Sequence, residues 1–298
     1  MEQENNQGHS ENHFGAYRDF WWNKGFLDLM AERLRLATHQ SMLDVGCGKC
    51  HWSKLLVPYL SEPADVYAVD NDPKWSRKDA AIQDFFKIHG ASLQLMKADA
   101  SDLPFKDDCF DIVTCQTLLI HVADPAKVIS EMKRVLKPGG TILCAEPNNI
   151  IQKLIKNSLS THDSIDTMLD HVKYALIYEE GKKRMGQGDN SLGDLLPGML
   201  AIEGFRHIEV KISDKAIPIY PPYTNQEQTA TLHYWAEELQ GDGTDKKYFE
   251  AAGEKYVSFY EDYQKKYLHT QNQILTALKN EEYHTAGAVL MYLISAVK

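Results

Sequence analysis

Met42-Leu43-Asp44-Val45-Gly46-Cys47-Gly48 is the stretch on which the fold turns. A short apolar run ends on an acid and passes at once into a loop with two glycines, where the chain can bend sharply and the backbone can approach a ligand. A helix is expected from Cys50 to Leu60. Its first amides point back at the loop and offer an anion site. The unit then recurs with variations. Val66–Val69 is a second strand closed by Asp70, a helix is expected around Trp75 to His89, Leu93–Met96 is a third strand, and Phe110–Thr114 is a fourth. Lys127–Leu136 places Val128, Met132, Val135 and Leu136 on one helical face, and the turn Lys137-Pro138-Gly139-Gly140 leads into a fifth strand, Thr141–Ala145. This alternation predicts an α/β fold with a doubly wound, mostly parallel sheet.

Upstream, residues 1–15 (MEQENNQGHSENHFG) are polar and acidic, without the basic and apolar regions of a signal peptide. From Arg18 to Leu36, apolar groups at Trp22, Phe26, Leu29, Met30 and Leu36 predict one amphipathic helix. Trp21 and Trp22 fall on different faces of it, one toward the core and one toward the site. Downstream, the alternation breaks after Pro147. Residues 149–192 are polar and contain histidines, Leu195–Glu203 reads as a short helix, and Ile208–Ile212 as a strand. Residues 214–284 predict two helices separated by Gly241-Asp242-Gly243, and Gly287–Val297 is a final strand. A strand that returns after a helical excursion marks the excursion as an insertion. The expected organisation is an N-terminal helix with the ligand-binding sheet (1–148), a cap insertion (149–192), a return to the sheet (193–213), a mainly helical cap (214–284) and the last strand (285–298).

The chain has 298 residues, enough for one large core with a cap, and its formal charge of −10 argues against a nucleic-acid partner, which needs a basic footprint. The longest apolar candidate, Ala286–Val297, is strand-length and far short of the roughly 20 residues of a membrane helix. A cytoplasmic protein with neither nucleic-acid nor membrane partner is expected, and no oligomeric state is specified. Five cysteines without a signal peptide argue against a disulfide framework. Cys47 and Cys50 stand where a redox pair would, at a helix start, but they read as small loop residues. No second ligand pair is spaced for zinc, so no metal is expected.

Three acids close the first three strands: Asp44, Asp70 and, in KADASDLPF, Asp99. In an open parallel sheet those strand ends line the ligand crevice. Asp70 fits the acid that accepts from ribose hydroxyls at the end of a second strand. Asp99 has no role in the simplest dinucleotide fingerprint, but it can accept from the exocyclic amine of an adenine. DVGCG, AVD, KADASDLPF, FDIVTCQTLLIHVADP and RVLKPGG, in that order over roughly residues 40–148, resemble the successive motifs of class I S-adenosylmethionine-dependent methyltransferases, near the quinone-biosynthesis and small-molecule branches.

The resemblance implies a Rossmann-like sheet of seven strands, S-adenosylmethionine as cofactor and a small-molecule methyl acceptor. It implies that Gly46 and Gly48 wrap the methionine moiety, with Asp44 beside its ammonium and Gln116 beside the transferable methyl. Asp70 takes the ribose hydroxyls and Asp99 the adenine amine, while the Ala100 amide meets a ring nitrogen. Asn71 stands where the family often has an apolar residue under adenine. Cys50 replaces a third glycine, which would set helix and strand slightly further apart. Tyr17, Trp21 and Trp22 are candidates to close over the cofactor. His121, past the fourth strand, and Glu146, after the fifth, are the candidate bases, ahead of His162 and His171. Tyr256, Tyr260, Tyr263 and Tyr267 read as the buried seam of the cap, and Pro221-Pro222-Tyr223 as a loop. Two readings of other classes compete. A nicotinamide-dependent oxidoreductase would want a glycine where His51 stands, and a non-catalytic adenosyl-binding regulator would lack an acceptor pocket.

Overall fold

A computed structural model describes residues 16–77, 79–238, 245–287 and 290–298. Seven strands form one sheet: β1 (Ser41–Val45), β2 (Ala64–Asp70), β3 (Ala91–Lys97), β4 (Phe110–Gln116), β5 (Leu136–Pro147), β6 (Arg206–Ile212) and β7 (Met291–Val297). Their order is β3-β2-β1-β4-β5-β7-β6. The first five pair in parallel, while β7 runs antiparallel to both β5 and β6. The strand order reverses between β1 and β4. In such sheets the crevice at the carboxyl ends of the strands beside this reversal is where ligands bind.

Alternation along β1 builds two cores. Met42 faces a layer containing Leu27 and Met30 of α1 (Lys24–Arg33), Trp52 and Leu56 of α2 (His51–Leu56) and Phe86 of α3 (Ala80–Ile88). Leu43 and Val45 face the other layer, which contains Val128, Ile129 and Met132 of α4 (Pro125–Val135). Continuous apolar strands buried on both faces are what a parallel sheet between two helical layers requires.

Beyond the sheet stand α5 (Ile165–Arg184), α6 (Leu196–Ile202), α7 (Gln226–Glu238), α8 (Lys246–Ala252) and α9 (Val257–Lys279). Leu196 and Leu200 of α6 pack on the second core. Ile177 of α5, Phe249 of α8 and Tyr260 of α9 form a separate cluster, with the Tyr174 ring tilted against Tyr263 at 4.4 Å and Tyr263 tilted against Tyr267 at 4.5 Å. The tyrosine stripe of α9 is thus the seam of a helical unit. Where α5 crosses α8 there is room only for glycine, since a Cβ on Gly181 would overlap the Tyr248 carbonyl. Gly181→Ala is expected to lower stability by about 1–3 kcal/mol through overpacking, more than the roughly 1 kcal/mol that alanine adds in a helix. An unchanged urea midpoint would show that α5 and α8 separate without cost.

Four sequence expectations change. The single helix over 18–36 is a 3-10 turn (Ala16–Phe20), then α1, then a second 3-10 turn (Leu36–Thr38), because the chain turns at Trp21-Trp22 to send those rings in different directions. The polar 149–192 segment carries the 20-residue helix α5, and the described residues of 214–284 hold three α-helices instead of the two expected. The helix expected from Trp75 starts at Ala80, where the Asp79 side chain caps it by accepting from the amides of Ala81 and Ile82. The Gly241–Gly243 break and residues 1–15 lie outside the described residues.

Candidate functional site

The glycine loop begins where β1 ends, and its shape follows from its residues. Gly46 has φ +73°, and a Cβ there would come within 2.7 Å of Leu118 Cδ1. Only glycine lets the loop pass so close to the β4 loop. The amides of Gly46 and Cys47 donate to the Val69 carbonyl at 2.8 and 3.0 Å, tying the loop to the end of β2. Trp52 Nε1 donates to Thr114 Oγ1 at 2.6 Å and so fixes the following helix to β4. Cys50 is fully buried with φ +59°, so the position of the missing third glycine keeps a glycine-like conformation. Contact with the Cys50 thiol, then burial, pushes the Cys47 thiol well up, the opposite of a reactive redox pair.

Asp44 lies under this loop. It is 1% exposed, and neither carboxylate oxygen has a hydrogen bond of good geometry, the hydroxyl and amide of Ser53 being loosely placed donors that lower its pKa only in part. Burial, above all, pushes its carboxyl up to about 7. Such a group is costly unless a cation or donor arrives to meet it.

Asp70 is occupied differently. Its Oδ2 accepts from the Gly48 amide at 3.0 Å and its Oδ1 from the Asp72 amide at 2.9 Å. Burial raises its pKa against the pull of those two bonds. Asn71 beside it is exposed. At the end of β3, Asp99 is exposed and accepts from the Ser101 amide at 2.8 Å, which, with a side-chain bond from Ser101, lowers its pKa. Arg134 of α4 holds the rest of that loop by donating to the carbonyls of Leu103 and Phe105 at 2.9 and 2.7 Å. Ala100 and Gln116 are half-buried on the same rim.

A cavity of about 570 Å³ opens beyond the ends of β4 and β5, beneath the helices of the insertions. Its sheet side is Thr117, Ile120, His121 and Pro147, and its ring-rich roof includes Trp21, Tyr178, Tyr234, Trp235 and Tyr283. Tyr17 stacks on Tyr234 at 4.1 Å, so the N-terminal turn is docked on α7. Trp21 lines this cavity while Trp22 is buried against Trp52 at 5.0 Å.

Of the two candidate bases, only His121 lines the cavity. Glu146 has no exposed surface, and its Oε1 accepts from the amides of Leu118 and Leu119, both at 2.9 Å. Burial pushes its carboxyl up to about 7. From this position it holds the turn that carries His121 and does not itself reach the cavity. His171 bonds Tyr263 at 2.7 Å within the helical unit, and His162 is exposed. The sequence reading missed Lys182 of α5, which lines the cavity beside His121. It also missed Thr117, whose φ of +50° marks a non-glycine residue in a strained conformation at the end of β4.

Residues 43–144 match a family described as Methyltransferase domain. The match covers the glycine loop and the ends of β1 to β4, and it stops before the insertions that roof the cavity. Two proteins named demethylmenaquinone methyltransferase are similar to the chain. The one from Lactiplantibacillus plantarum is 34% identical over 42% of this chain and 52% of its own length. The one from Staphylococcus carnosus is 28% identical over 57% of this chain and 69% of its own. The chain thus spans about half the length of the first of these relatives. A Bacillus halodurans protein, solved as a candidate methyltransferase, has the same fold at 20% identity, with a TM-score of 0.51 over 93% of this chain and 98% of that one. Among the described residues no helix is long and apolar enough to cross a membrane, and no cluster of His, Cys, Asp and Glu is placed to hold a metal ion.

Proposed function

We propose that the whole chain is an S-adenosylmethionine-dependent methyltransferase acting on a small, partly apolar ring compound. The observation that carries this reading is Asp44, a buried carboxyl without a hydrogen bond of good geometry under a glycine loop at the strand-order reversal. A ligand with an ammonium group would meet that need. In this reading Asp44 takes the ammonium of the cofactor, Gly46 and Gly48 leave space for its methionine part, Asp70 faces the ribose, and Asp99 with Ala100 faces the adenine. Gln116, next in the chain to Thr117 of the cavity wall, would stand beside the transferable methyl. The cofactor supplies a methyl already activated by positive charge on sulfur, so the chain's own contribution is proximity, orientation and exclusion of water.

The acceptor would enter the cavity beneath the insertions. Its flat aromatic walls and its volume of about 570 Å³ suit one or two fused rings. The relatives' names point the same way, toward a demethylated quinone.

The test is a thermal-shift comparison of S-adenosylhomocysteine with NAD, followed by transfer of radiolabelled methyl to a panel of hydroxylated ring compounds. S-adenosylhomocysteine at about 100 times its Kd should stabilise the fold by about 2.7 kcal/mol, and NAD should not shift the midpoint. The reverse order would replace the methyltransferase reading with an oxidoreductase one.

A further inference from the structure

The Lys182 side chain is buried, and its Nζ donates to the Ile120 carbonyl at 3.0 Å and to Asn190 Oδ1, and it lies 3.4 Å from His121 Nδ1. An ammonium has three donors and no acceptor. The imidazole nitrogen turned toward it must therefore be the one without a proton. Burial lowers the Lys182 pKa to about 8, and negative charge on Glu179 and Asp189 opposes that cost, so the ammonium is the main form at neutral pH. Glu179 also accepts from the Asn190 amide at 2.9 Å, which orients the second of those acceptors. A neutral imidazole carries one proton, and with Nδ1 bare that proton is on Nε2.

We infer that Lys182 is a positioning residue that fixes His121 as its Nε2–H tautomer, so that His121 serves the cavity as a hydrogen-bond donor and not as a base, and that the methyl acceptor presents to it an oxygen able to accept, a carbonyl or an already ionised hydroxyl. A ring whose Nε2 already holds a proton cannot take another there from a substrate hydroxyl. What it can do is orient an acceptor oxygen and stabilise negative charge on it. The acceptor half of the inference rests on the methyltransferase reading. The tautomer half is a property of the protein alone.

Long-range proton–nitrogen NMR of uniformly nitrogen-15-labelled protein at neutral pH reads the tautomer directly. Among twelve histidines, His121 is assigned by the signals lost in His121→Gln. The wild type should show a bare Nδ1 and a protonated Nε2. Lys182→Arg, which keeps a donating cation, should retain that pattern, and Lys182→Met should lose it to a mixture. A protonated Nδ1 in the wild type overturns the inference, as does an unchanged pattern in a folded Lys182→Met. Where the methionine variant fails to fold by circular dichroism, the wild-type and arginine spectra decide.

The acceptor half is tested with 1-tetralone and tetralin, which share a shape and differ by one carbonyl. In the presence of S-adenosylhomocysteine the ketone should bind about three- to tenfold tighter, the scale of one hydrogen bond. That preference should vanish in His121→Leu and survive in His121→Gln, which still offers an N–H. Equal affinities, or no binding of the ketone, overturn the acceptor half. Failure of S-adenosylhomocysteine itself to bind would sink the methyltransferase reading and leave the tautomer result standing.

Discussion

Asp70→Ala is expected to raise the dissociation constant for S-adenosylhomocysteine by about one to three decades, at roughly 1.4 kcal/mol per decade. Two effects combine. A carboxylate at the end of β2 can accept from both ribose hydroxyls, and bonds to a charged acceptor contribute about 1.5–3 kcal/mol each. The same carboxylate already accepts from the Gly48 and Asp72 amides, so its loss also unties the glycine loop from the loop after β2. The sequence alone suggests a crevice-facing acid that folding would not miss. The structure changes that expectation, and the melting temperature should fall as well. Asp70→Asn should fall between, because an amide accepts through one oxygen only.

A double cycle with the 2′-deoxy analogue of S-adenosylhomocysteine separates the two effects. If Asp70 meets the ribose, removing the 2′-hydroxyl weakens binding to the wild type and has almost no further effect in Asp70→Ala. Equal losses in both proteins would leave Asp70 as a loop brace only.

The ends of β1, β2 and β3 were legible because each is a local event. An apolar run followed at once by an acid or a glycine needs no distant partner to be read, and Asp44, Gly46, Asp70 and Asp99 all belong to such runs. The strands extend past their apolar centres, as β5 does from Leu136 to Pro147, because backbone pairing continues under side chains that carry no pattern. The helix α5 was hidden because its buried residues include Glu179, Gly181 and Lys182, which binary patterning places on a surface. Lys182 is read as a solvated lysine until the fold brings it against a histidine 61 residues earlier. Glu146 was legible as an acid at a strand end and misleading as a base, since its role depends on amides of the neighbouring loop. The resemblance supplied roles that patterning could not, and it had nothing to say about the cavity roof.

Binding of S-adenosylhomocysteine is expected to depend on pH through Asp44. Its carboxyl sits near 7 because burial penalises the charged form, whereas a ligand ammonium would be met by the carboxylate. Below that pKa, binding has to release a proton, so affinity should fall as pH drops, by about tenfold between about pH 8 and about pH 6 for a single coupled group.

Stability of the ligand-free protein should run the other way. The folded pKa lies above the ordinary aspartate value of 3.8, so the folded state keeps a proton that the unfolded chain gives up. That contribution is complete below the unfolded pKa and is lost as pH rises through about 7. Glu146, raised from 4.5 to about 7, adds to it with the same sign. Asp44→Asn should remove Asp44's share of the slope and so flatten the stability profile. It should also abolish the pH dependence of binding and weaken affinity by about two to three decades, since breaking a buried charge pair costs about 3–5 kcal/mol. Calorimetric titration in buffers of different ionisation heat counts the proton released. Proton release that persists in Asp44→Asn, or wild-type affinity in that variant, would move the cofactor's ammonium away from Asp44.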